Sequence, residues 1–320
     1  MGKTQFIKDL VEGELVDDVF SVKLKKPPVE YRKGYRFELR VSDRTGIIPV
    51  KYWGSDDIEE VESLYASIHN GLFVKIRGRV NEYNDRLEIS VGSEGDISTA
   101  DDSVNDLSDF VPSTDKDIDQ MMGQLNAYIR QVEDPHLSEL LRSFFGDEEF
   151  VRRFRDAPAS IQKHSNCIGG LLEHTLAVVD ICARLQSMKS QMDRDLLIAG
   201  AILHDIGKTD EYVVTSNIDM SEEGMLLGHI FMGAKQVEEA IDTIDGFPTR
   251  LRYKLVHMIL SSHGKYEYGS PRIPQIPEAI ALHYADEMDA KVEQCIAIKG
   301  SARTDDNWIY NKDLGHIYLH

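Results

Sequence analysis

The chain carries a scattered set of histidine and aspartate side chains that could bind a divalent metal ion. Imidazole nitrogens and carboxylate oxygens are ligands that borderline divalent metals take in proteins. The set consists of His174, the adjacent His204 and Asp205, then His229, His263 and Asp286. Each lies inside or at the edge of an apolar segment with helical spacing, so a metal site built from several helices is predicted.

The adjacent His204 and Asp205 follow an uninterrupted apolar stretch at 196–203. Such a stretch predicts a helix that is buried on all sides, with Gly207 as its C-terminal cap. An ionised aspartate in these surroundings is strongly unfavourable unless it is paired or binds a cation. An ion pair with Lys208, or a capping role, would also satisfy Asp205, so this pair alone leaves the metal site open.

Two further predicted helices each bring a polar group inward. His174 lies among apolar turns after Gly169-Gly170, and Asp286 falls on one helical stripe with Ala279 and Leu282. A lone histidine on an apolar face is more often a satisfied core residue. A metal shared between the three helices would compensate all of these polar groups at once.

His229 and His263 lie at the ends of predicted helical segments. His229 opens the stretch 228–233, and His263 closes the stretch 255–263 just before Gly264. Side chains at helix ends can reach a site without being trapped in a helix interface, so both are predicted to bind a second metal. His257 is expected to be structural. The sequence offers no functional argument for His136, His283, His316 and His320.

The ordered ligand set resembles the HD-domain metal-dependent phosphohydrolases, and the longer strings around it resemble the YhaM-type 3′-to-5′ exoribonucleases. The matching strings are GGLLEHT (169–175), HDIGK (204–208), GH (228–229), SHGKYEYGSP (262–271) and LHYADEMDA (282–290). By analogy with binuclear members of the superfamily, His174, His204, Asp205 and Asp286 would hold one metal. His229 and His263 would hold a second, with Asp205 as the bridge.

Two serines depart from the paired histidines of that family. The chain has His164-Ser165 and Ser262-His263 at these places, which leaves the substrate contacts near Ser165 and Ser262 open. The cyclic-dinucleotide phosphodiesterases share the ligand order but carry a Gly-Tyr-Pro string. Gly269-Ser270-Pro271 stands here instead, which argues against that branch.

The N-terminal part has the pattern of short strands separated by turns. The clearest strand is Tyr35–Val41, in which odd positions are apolar and even positions are charged. It is followed by predicted strands at 47–53, 72–80 and, after an Asn84-Asp85 turn, 86–91. Strands of this number and spacing suit a small closed barrel, and the string VSDRTGIIPVKYWG (41–54) resembles the OB-folds of nucleic-acid-binding proteins.

The predicted strand 72–80 has an outward face that could bind a single strand of nucleic acid. Alternation places Leu72, Val74, Ile76 and Val80 inward and Phe73, Lys75, Arg77 and Arg79 outward. An aromatic ring beside cations can stack a base and follow phosphates, although an ordinary solvated strand face has the same composition. Trp53, Tyr266 and Tyr268 are further candidates for base contacts, with core packing as the alternative.

Length and charge are consistent with two domains. The chain has 320 residues, 42% of them hydrophobic, and a formal net charge of −19. A strongly acidic chain is unfavourable for polyanion binding, but residues 1–98 hold 15 Lys and Arg against 18 Asp and Glu, which is only −3. We predict an all-β OB-fold barrel at 1–98, an acidic linker at 99–117 and an all-α HD-domain helical bundle at 118–320.

Neither secretion nor membrane insertion is indicated. The N-terminus lacks the apolar core of a signal peptide, and no run approaches membrane-spanning length. The three cysteines, Cys167, Cys182 and Cys295, are widely spaced and form no CxxC pair, so neither a disulfide framework nor a zinc ribbon is expected. A cytoplasmic protein is predicted, and a homo-oligomer is an expectation that the sequence does not decide.

The resulting hypothesis is metal-assisted hydrolysis of a phosphodiester, with Asp205 and Lys208 as the catalytic residues. Four imidazoles and two carboxylates are too rich in nitrogen for Mg²⁺ and suit two transition ions, foremost Mn²⁺, with Fe, Co or Ni as alternatives. The family resemblance implies single-stranded RNA, or DNA, shortened from its 3′ end to 5′-mononucleotides. The alternatives are a phosphohydrolase of small or cyclic nucleotides and a non-catalytic nucleic-acid-binding protein.

Overall fold

The computed structural model describes residues 3–83, 86–92, 94–100, 109–160, 167–215, 218–302, 304 and 306–320. Its contacts divide the chain into two compact units, Met1–Ser113 with Val214–Ile218, and Thr114–Val213 with Asp219–His320. The predicted Asn84-Asp85 turn, residues 101–108 of the predicted linker, and His164-Ser165 lie outside the described residues. Within the described residues, no helix is long and apolar enough to cross a membrane.

The first unit is a β-barrel. Its strands are β1 (Leu15–Tyr31), β2 (Gly34–Asp43), β3 (Gly46–Trp53), β4 (Phe73–Glu82), β5 (Leu87–Val91) and β6 (Asp96–Thr99), with helix α1 (Ile58–Ser67) between β3 and β4. The sheet order is β1-β2-β3-β5-β4-β6, and a further pairing of β1 with β4 closes the sheet on itself. The barrel predicted from the alternating pattern is confirmed.

One long strand makes this closure possible. The first half of β1 pairs with β4, from Leu15 opposite Arg79 to Ser21 opposite Phe73, and its second half pairs with β2. The pairing with β2 is irregular between Lys26 and Val29. Two prolines lie in this interval, and a proline cannot donate a ladder hydrogen bond.

The barrel core follows the predicted alternation with one exception. In β2, Phe37, Leu39 and Val41 are buried, and in β4 the residues Val74, Ile76 and Val80 are buried. The prediction was wrong for Leu72, which precedes β4 and is exposed. Strand β6 was not predicted, because a four-residue strand with a single buried apolar side chain, Ile97, has no detectable period.

The second unit is a helical bundle. Its helices are α2 (Ile118–Arg130), α3 (Pro135–Phe145), α4 (Glu148–Asp156), α5 (Gly170–Met188), α6 (Arg194–Leu203), α7 (Lys208–Glu211), α8 (Glu222–Leu227), α9 (His229–Asp242), α10 (Thr249–Leu260) and α11 (Pro277–Ser301). Two short hairpins accompany them, β7 (Tyr212–Val214) with β8 (Ile218–Met220), and β9 (Trp308–Asn311) with β10 (Gly315–Tyr318). The predicted fold, a barrel followed by a helical bundle, is confirmed.

Helix α6 forms the centre of the bundle. The Asp193 side chain accepts a hydrogen bond from the Leu196 amide at its N-terminus, and every residue from Leu196 to Leu203 is buried. Such all-round burial is what its unbroken apolar sequence predicted. The surrounding helices therefore converge on the residues that follow its C-terminal end.

Gly207 does not cap α6, so that prediction was wrong. Helix α6 ends at Leu203, and Gly207 precedes α7 with an ordinary helical backbone. A Cβ atom at Gly207 would overlap the backbone of His229 and lie 2.6 Å from the amide nitrogen of Gly233, both in α9. The glycine is needed because α9 passes directly against this turn.

Candidate metal centre

The structure brings the six candidate ligands together as two neighbouring groups. One contains His174, His204 and Asp286, and the other contains Asp205, His229 and His263. Within each group the ligand atoms all lie within 4.8 Å of one another. The side chains come from α5, the turn after α6, α9, the turn after α10, and α11.

Asp205 faces both groups. Its Oδ2 atom lies 3.4 Å from Nε2 of His204 and 3.5 Å from Nε2 of His174, and its Oδ1 atom lies 3.7 Å from Nε2 of His229. The second group is completed by His263, whose Nε2 atom lies 3.3 Å from Nε2 of His229. A carboxylate with one oxygen toward each group has the arrangement of a bridging ligand.

The chemistry of these side chains fits bound divalent cations. Nε2 of His204 and Oδ1 of Asp205 are buried and have no hydrogen-bond partner among the described residues. A buried polar atom without a partner costs about 1–3 kcal/mol, which a cation at the site would relieve. A set of imidazoles and carboxylates around such atoms suits a transition ion.

Two carboxylates orient one histidine in each group. Nδ1–H of His174 donates to Asp289 over 2.7 Å, and Nδ1–H of His229 donates to Glu211 over 2.9 Å. Each carboxylate accepts the hydrogen bond from Nδ1–H, so the lone pair that a metal can bind is the one on Nε2 of each ring.

Two backbone carbonyls orient the other two histidines. Nδ1–H of His204 donates to the carbonyl of Ala201 over 2.8 Å, and Nδ1–H of His263 donates to the carbonyl of Tyr268 over 3.0 Å. Because a carbonyl can only accept, all four imidazoles have the same tautomer and direct Nε2 to the centre.

A buried lysine is paired with Asp205 at the centre. Nζ of Lys208 donates to Oδ2 of Asp205 over 2.6 Å. Burial disfavours the charged form of both groups, but Lys208 and His204 hold the pKa of Asp205 well below its usual range, and Asp205 raises the pKa of Lys208. Lys208 is only 9% exposed, so its ammonium lies inside the site and not at the protein surface.

The carboxylates around His174 favour the charged form of its imidazole. Burial opposes its protonation, but its hydrogen bonds to Asp286 and Asp289 raise the pKa of His174 to about 10. The negative potential that favours a proton at this point would equally favour a divalent cation.

A cavity of about 730 Å³ opens onto the centre. Four of the six candidate ligands line it, and its wall also includes Lys208, Tyr268, His283, Lys291 and Lys312. A volume of this size is typical of a small-molecule or nucleotide pocket. Tyr266 is the other tyrosine that was predicted to contact a base. It is exposed, and it is not one of the described residues that line this cavity.

Sequence reasoning missed three residues of this site, Glu211, Asp289 and His283. His283 is buried, its Nδ1–H donates to the carbonyl of Ser262 over 2.9 Å, and its ring lies where a Cβ atom of Gly264 would be. Asp289 follows Asp286 by one helical turn, which is a signal that the sequence contains. Glu211 offers no comparable signal, because its contact with His229 depends on the packing of α7 against α9.

The barrel residues predicted to contact nucleic acid have different surroundings. Lys75 pairs with Asp17 over 3.1 Å, and the Phe73 ring packs on Phe110 with 4.6 Å between centroids. Arg77 is exposed, whereas the guanidinium of Arg79, also at the surface, donates to the carbonyl of Gly13 over 2.9 Å. Arg77 is therefore the cation of this row with the fewest local restraints on its side chain.

Trp53 belongs to a separate aromatic group at the end of β3. Its ring contacts Tyr31 with 5.0 Å between centroids, and its Nε1–H donates to Ser90 over 2.9 Å. The guanidinium of Arg36 lies 5.4 Å from the Trp53 ring. The sequence pattern did not reveal these side chains as a group, because their contacts join separate strands.

Comparison with known proteins agrees with both units. The model of the HD domain matches residues 171–291, and the model of the OB-fold nucleic acid binding domain matches residues 18–95. The chain is 33% identical over 282 residues to the 3′-5′ exoribonuclease YhaM of Shouchella clausii, covering 88% of this chain and 85% of that protein. It is 32% identical over 280 residues to YhaM of Halalkalibacterium halodurans, with coverages of 88% and 84%. The chain belongs to the YhaM family of HD-domain proteins.

Proposed function

We propose that this protein is a metal-dependent 3′-to-5′ exoribonuclease that hydrolyses single-stranded RNA, and also single-stranded DNA, to 5′-mononucleotides. The observation that carries the proposal is the pair of three-ligand groups joined by Asp205 at the wall of a nucleotide-sized cavity. The 3′-to-5′ direction and the RNA substrate are taken from the names of the relatives at 32–33% identity.

His174, His204 and Asp286 would hold one ion, His229 and His263 a second, and Asp205 would be shared between them. Bound divalent ions supply Lewis acidity, which activates water and neutralises charge on the phosphoryl oxygens. The nitrogen-rich ligand set favours Mn²⁺ over Mg²⁺, with Fe, Co and Ni as alternatives.

Lys208 provides a fixed positive charge on the cavity wall. Its ammonium is held by Asp205 at 2.6 Å and keeps its proton because its pKa is raised. We assign it to a non-bridging oxygen of the scissile phosphate, where a preorganised cation stabilises the charge that develops during the reaction. Tyr268, in the same wall, would pack against the terminal base.

The barrel would hold the strand upstream of the cleaved nucleotide. Phe73, Lys75, Arg77 and Arg79 form one row for this contact, and Trp53 contributes a stacking surface. Base stacking and phosphate pairing depend little on the nucleotide sequence of the strand. This face of the barrel is therefore compatible with repeated or processive shortening of any unstructured strand.

The test compares strands labelled at either end during incubation with Mn²⁺. We expect 3′-labelled RNA to release labelled mononucleotide first, while 5′-labelled RNA shortens stepwise. Asp205→Ala should lower this rate by about 1,000-fold or more, since it removes a residue shared by both metal groups. The exposed carboxylate of Asp245 gives a matched control, and Asp245→Ala should retain the full rate.

Three results would contradict the proposal. The first is an absence of release with any divalent metal, which would indicate a binding protein. The second is hydrolysis of free nucleotides with no shortening of strands. The third is equal loss of activity in Asp205→Ala and Asp245→Ala, which would show that the assay does not report on this centre.

A further inference from the structure

The hairpin of β9 and β10 carries exposed rings that the metal centre does not use. Side chains alternate between its two faces, and one face, which we call the ring face, consists of Trp308, Tyr310, His316 and Tyr318. The indole and the two phenol rings are between 49 and 67% exposed. On the opposite face, Ile317 is only 6% exposed. The hairpin is therefore anchored by one face and presents rings to solvent on the other.

The four rings form two cross-strand pairs. The register of the hairpin sets Tyr310 opposite His316 and Trp308 opposite Tyr318. The ring centroids are 5.3 Å apart in the first pair and 5.1 Å apart in the second. The two pairs are separated by two residues along each strand, which is about 7 Å. The ring face thus offers two aromatic surfaces in a row, and each ring is held in place by its partner.

The turn of this hairpin belongs to the wall of the cavity at the metal centre. Lys312 and Asp313, between β9 and β10, both line the cavity. The Asn311 side chain fixes the turn by accepting hydrogen bonds from the amides of Asp313 and Leu314. Gln294 donates to Asp313 over 3.3 Å and so ties the turn to α11, the helix that supplies one metal ligand. The ring face is therefore continuous with the cavity wall.

Lys312 provides a positive charge where the cavity wall meets the ring face. It is exposed, and within the part of the chain that the structure describes its ammonium forms no ion pair. Lys291, on the same wall, is paired with Glu287 over 2.7 Å. From 307 to 320 the sequence has a single lysine and a single carboxylate side chain, although the whole chain has a net charge of −19. The hairpin is thus a segment that does not repel a polyanion.

We propose that the ring face binds the nucleotides directly upstream of the cleaved one in a single strand of nucleic acid. Lys312 contacts a backbone phosphate where the strand leaves the cavity, and Tyr310 and Trp308 each stack on one base. Aromatic side chains on strands bind unpaired bases in this way, and neighbouring cations follow the phosphates. The inference rests on the proposed function, since it requires the 3′ end of the strand to occupy the cavity.

The orientation of the rings leaves flat surface for a base. The ring planes are inclined by 62° in the pair nearer the turn and by 52° in the other pair, so neither pair is stacked on itself. Tyr310 is 67% exposed and Trp308 is 56% exposed. A nucleotide base is flat and uncharged, so it can cover such a ring while its phosphate stays in water beside Lys312.

The first test measures strand binding by fluorescence anisotropy in the Asp205→Ala background, which preserves the strand. Tyr310→Leu should raise the dissociation constant for oligouridylate by about 10-fold, because leucine is apolar but offers no flat ring for stacking. Tyr310→Phe keeps the ring and should restore the affinity. Tyr253→Leu is the matched control and should bind normally, since Tyr253 is also 67% exposed but lies on α10 and is not among the described residues of the cavity wall.

The second test observes stacking directly and does not depend on a loss of binding. The chain has two tryptophans, so Trp53→Phe leaves Trp308 as the only indole. Oligouridylate should quench the fluorescence of Trp308, because a base stacks on its ring. An abasic strand of the same length carries phosphates without bases and should not quench it. In the same background, Tyr310→Leu should keep the emission maximum of Trp308, which checks that the hairpin remains folded.

Three observations would overturn the inference. The first is equal affinity for the strand in Tyr310→Leu and Tyr253→Leu. The second is equal quenching of Trp308 by the abasic strand and by oligouridylate, which would show that the bases are not stacked on it. The third is a Trp308 emission that changes with the concentration of the chain and not with the strand, which would show that a second copy covers the ring face.

Hydrolysis by the unmodified chain separates this inference from the proposed function. The substrates are RNA and the small diester bis(p-nitrophenyl) phosphate, each with Mn²⁺. If neither is hydrolysed while oligouridylate still quenches Trp308, the ring face binds a strand and the proposed function is wrong. If RNA is shortened from its 3′ end while Tyr310→Leu binds the strand as tightly as Tyr253→Leu does, the proposed function stands and the inference is wrong.

Discussion

At the scale of single residues, the metal centre depends on the atoms that hold its histidines. Each imidazole donates from Nδ1, two to the carboxylates of Asp289 and Glu211 and two to backbone carbonyls. A ring with one fixed nitrogen presents the other at a defined point, so the ligands are arranged before an ion binds. We therefore expect the hydrogen bonds that hold the imidazoles to raise the affinity of the site for a metal ion.

Replacement of Asp289 should weaken one of the two metal groups. Asp289→Ala leaves His174 free to rotate and to change tautomer, so we expect Mn²⁺ to bind to that group about 10–100-fold more weakly. Titration calorimetry with the full chain would measure this change.

Glu287→Ala is the matched control for that titration. Glu287 also lines the cavity on α11, but its hydrogen bond is to Lys291 and not to a histidine ligand. Equal loss of Mn²⁺ affinity in both variants would mean that cavity charge, and not the orientation of His174, determines binding.

At the scale of elements, the centre requires α9 to lie unusually close to the turn after α6. Gly207 and Gly233 form this contact, and neither has a side chain that would separate the two backbones. Helix α9 begins with His229, so its distance from the turn also sets the position of a metal ligand. Backbone packing and site geometry are therefore coupled at this point.

Gly207→Ala should destabilise the helical unit. The added methyl group overlaps backbone atoms, which cannot rotate away, so we expect a loss of about 1–3 kcal/mol in the free energy of unfolding. Urea denaturation followed by circular dichroism would measure it.

For Gly123→Ala, in the same unit, we expect the opposite change in the free energy of unfolding. Gly123 lies inside α2 with open space around its Cα, so alanine should stabilise the helix by up to about 1 kcal/mol. If both alanine variants changed stability in the same direction, the close approach of α9 would not be the controlling factor.

At the scale of the whole molecule, negative charge is distributed unevenly along the chain. The net charge of −19 contrasts with −3 for residues 1–98. A polyanion should therefore be held by few cations, and the exposed row on β4 supplies a small number of them. Strand binding is expected to have a shallow dependence on salt.

Arg77→Gln should reduce that dependence by a defined amount. Each phosphate contact to a single strand contributes about 0.7 to the slope of log K against log salt, so the slope should fall by about this value. Binding is measured by fluorescence anisotropy in the Asp205→Ala background, which preserves the strand.

Arg250→Gln tests whether the effect is specific to the barrel. Arg250 is exposed on α10, and its removal changes the net charge by the same amount. An equal decrease of the slope in both variants would indicate a general charge effect, and no decrease in Arg77→Gln would remove Arg77 from the strand contact.

Local sequence was sufficient for the two folds and for the candidate ligands. The alternation in Tyr35–Val41 identified a barrel strand, and the unbroken apolar run before His204 identified a helix buried on all sides. Both are periodic signals of short range. The six candidate ligands could be selected because each is a polar residue in an apolar helical context, which is rare enough to be noticed.

Tertiary packing alone decided which partners those residues meet. Nothing in the local sequence distinguishes Glu211 or His283 from other polar residues, because their contacts join separate elements. The role of Gly207 was also misjudged, since a glycine after a helix is normally a cap and here it permits a neighbouring backbone to approach. A sequence records the periodicity of one element at a time, whereas the distance between two elements is a property of how they pack.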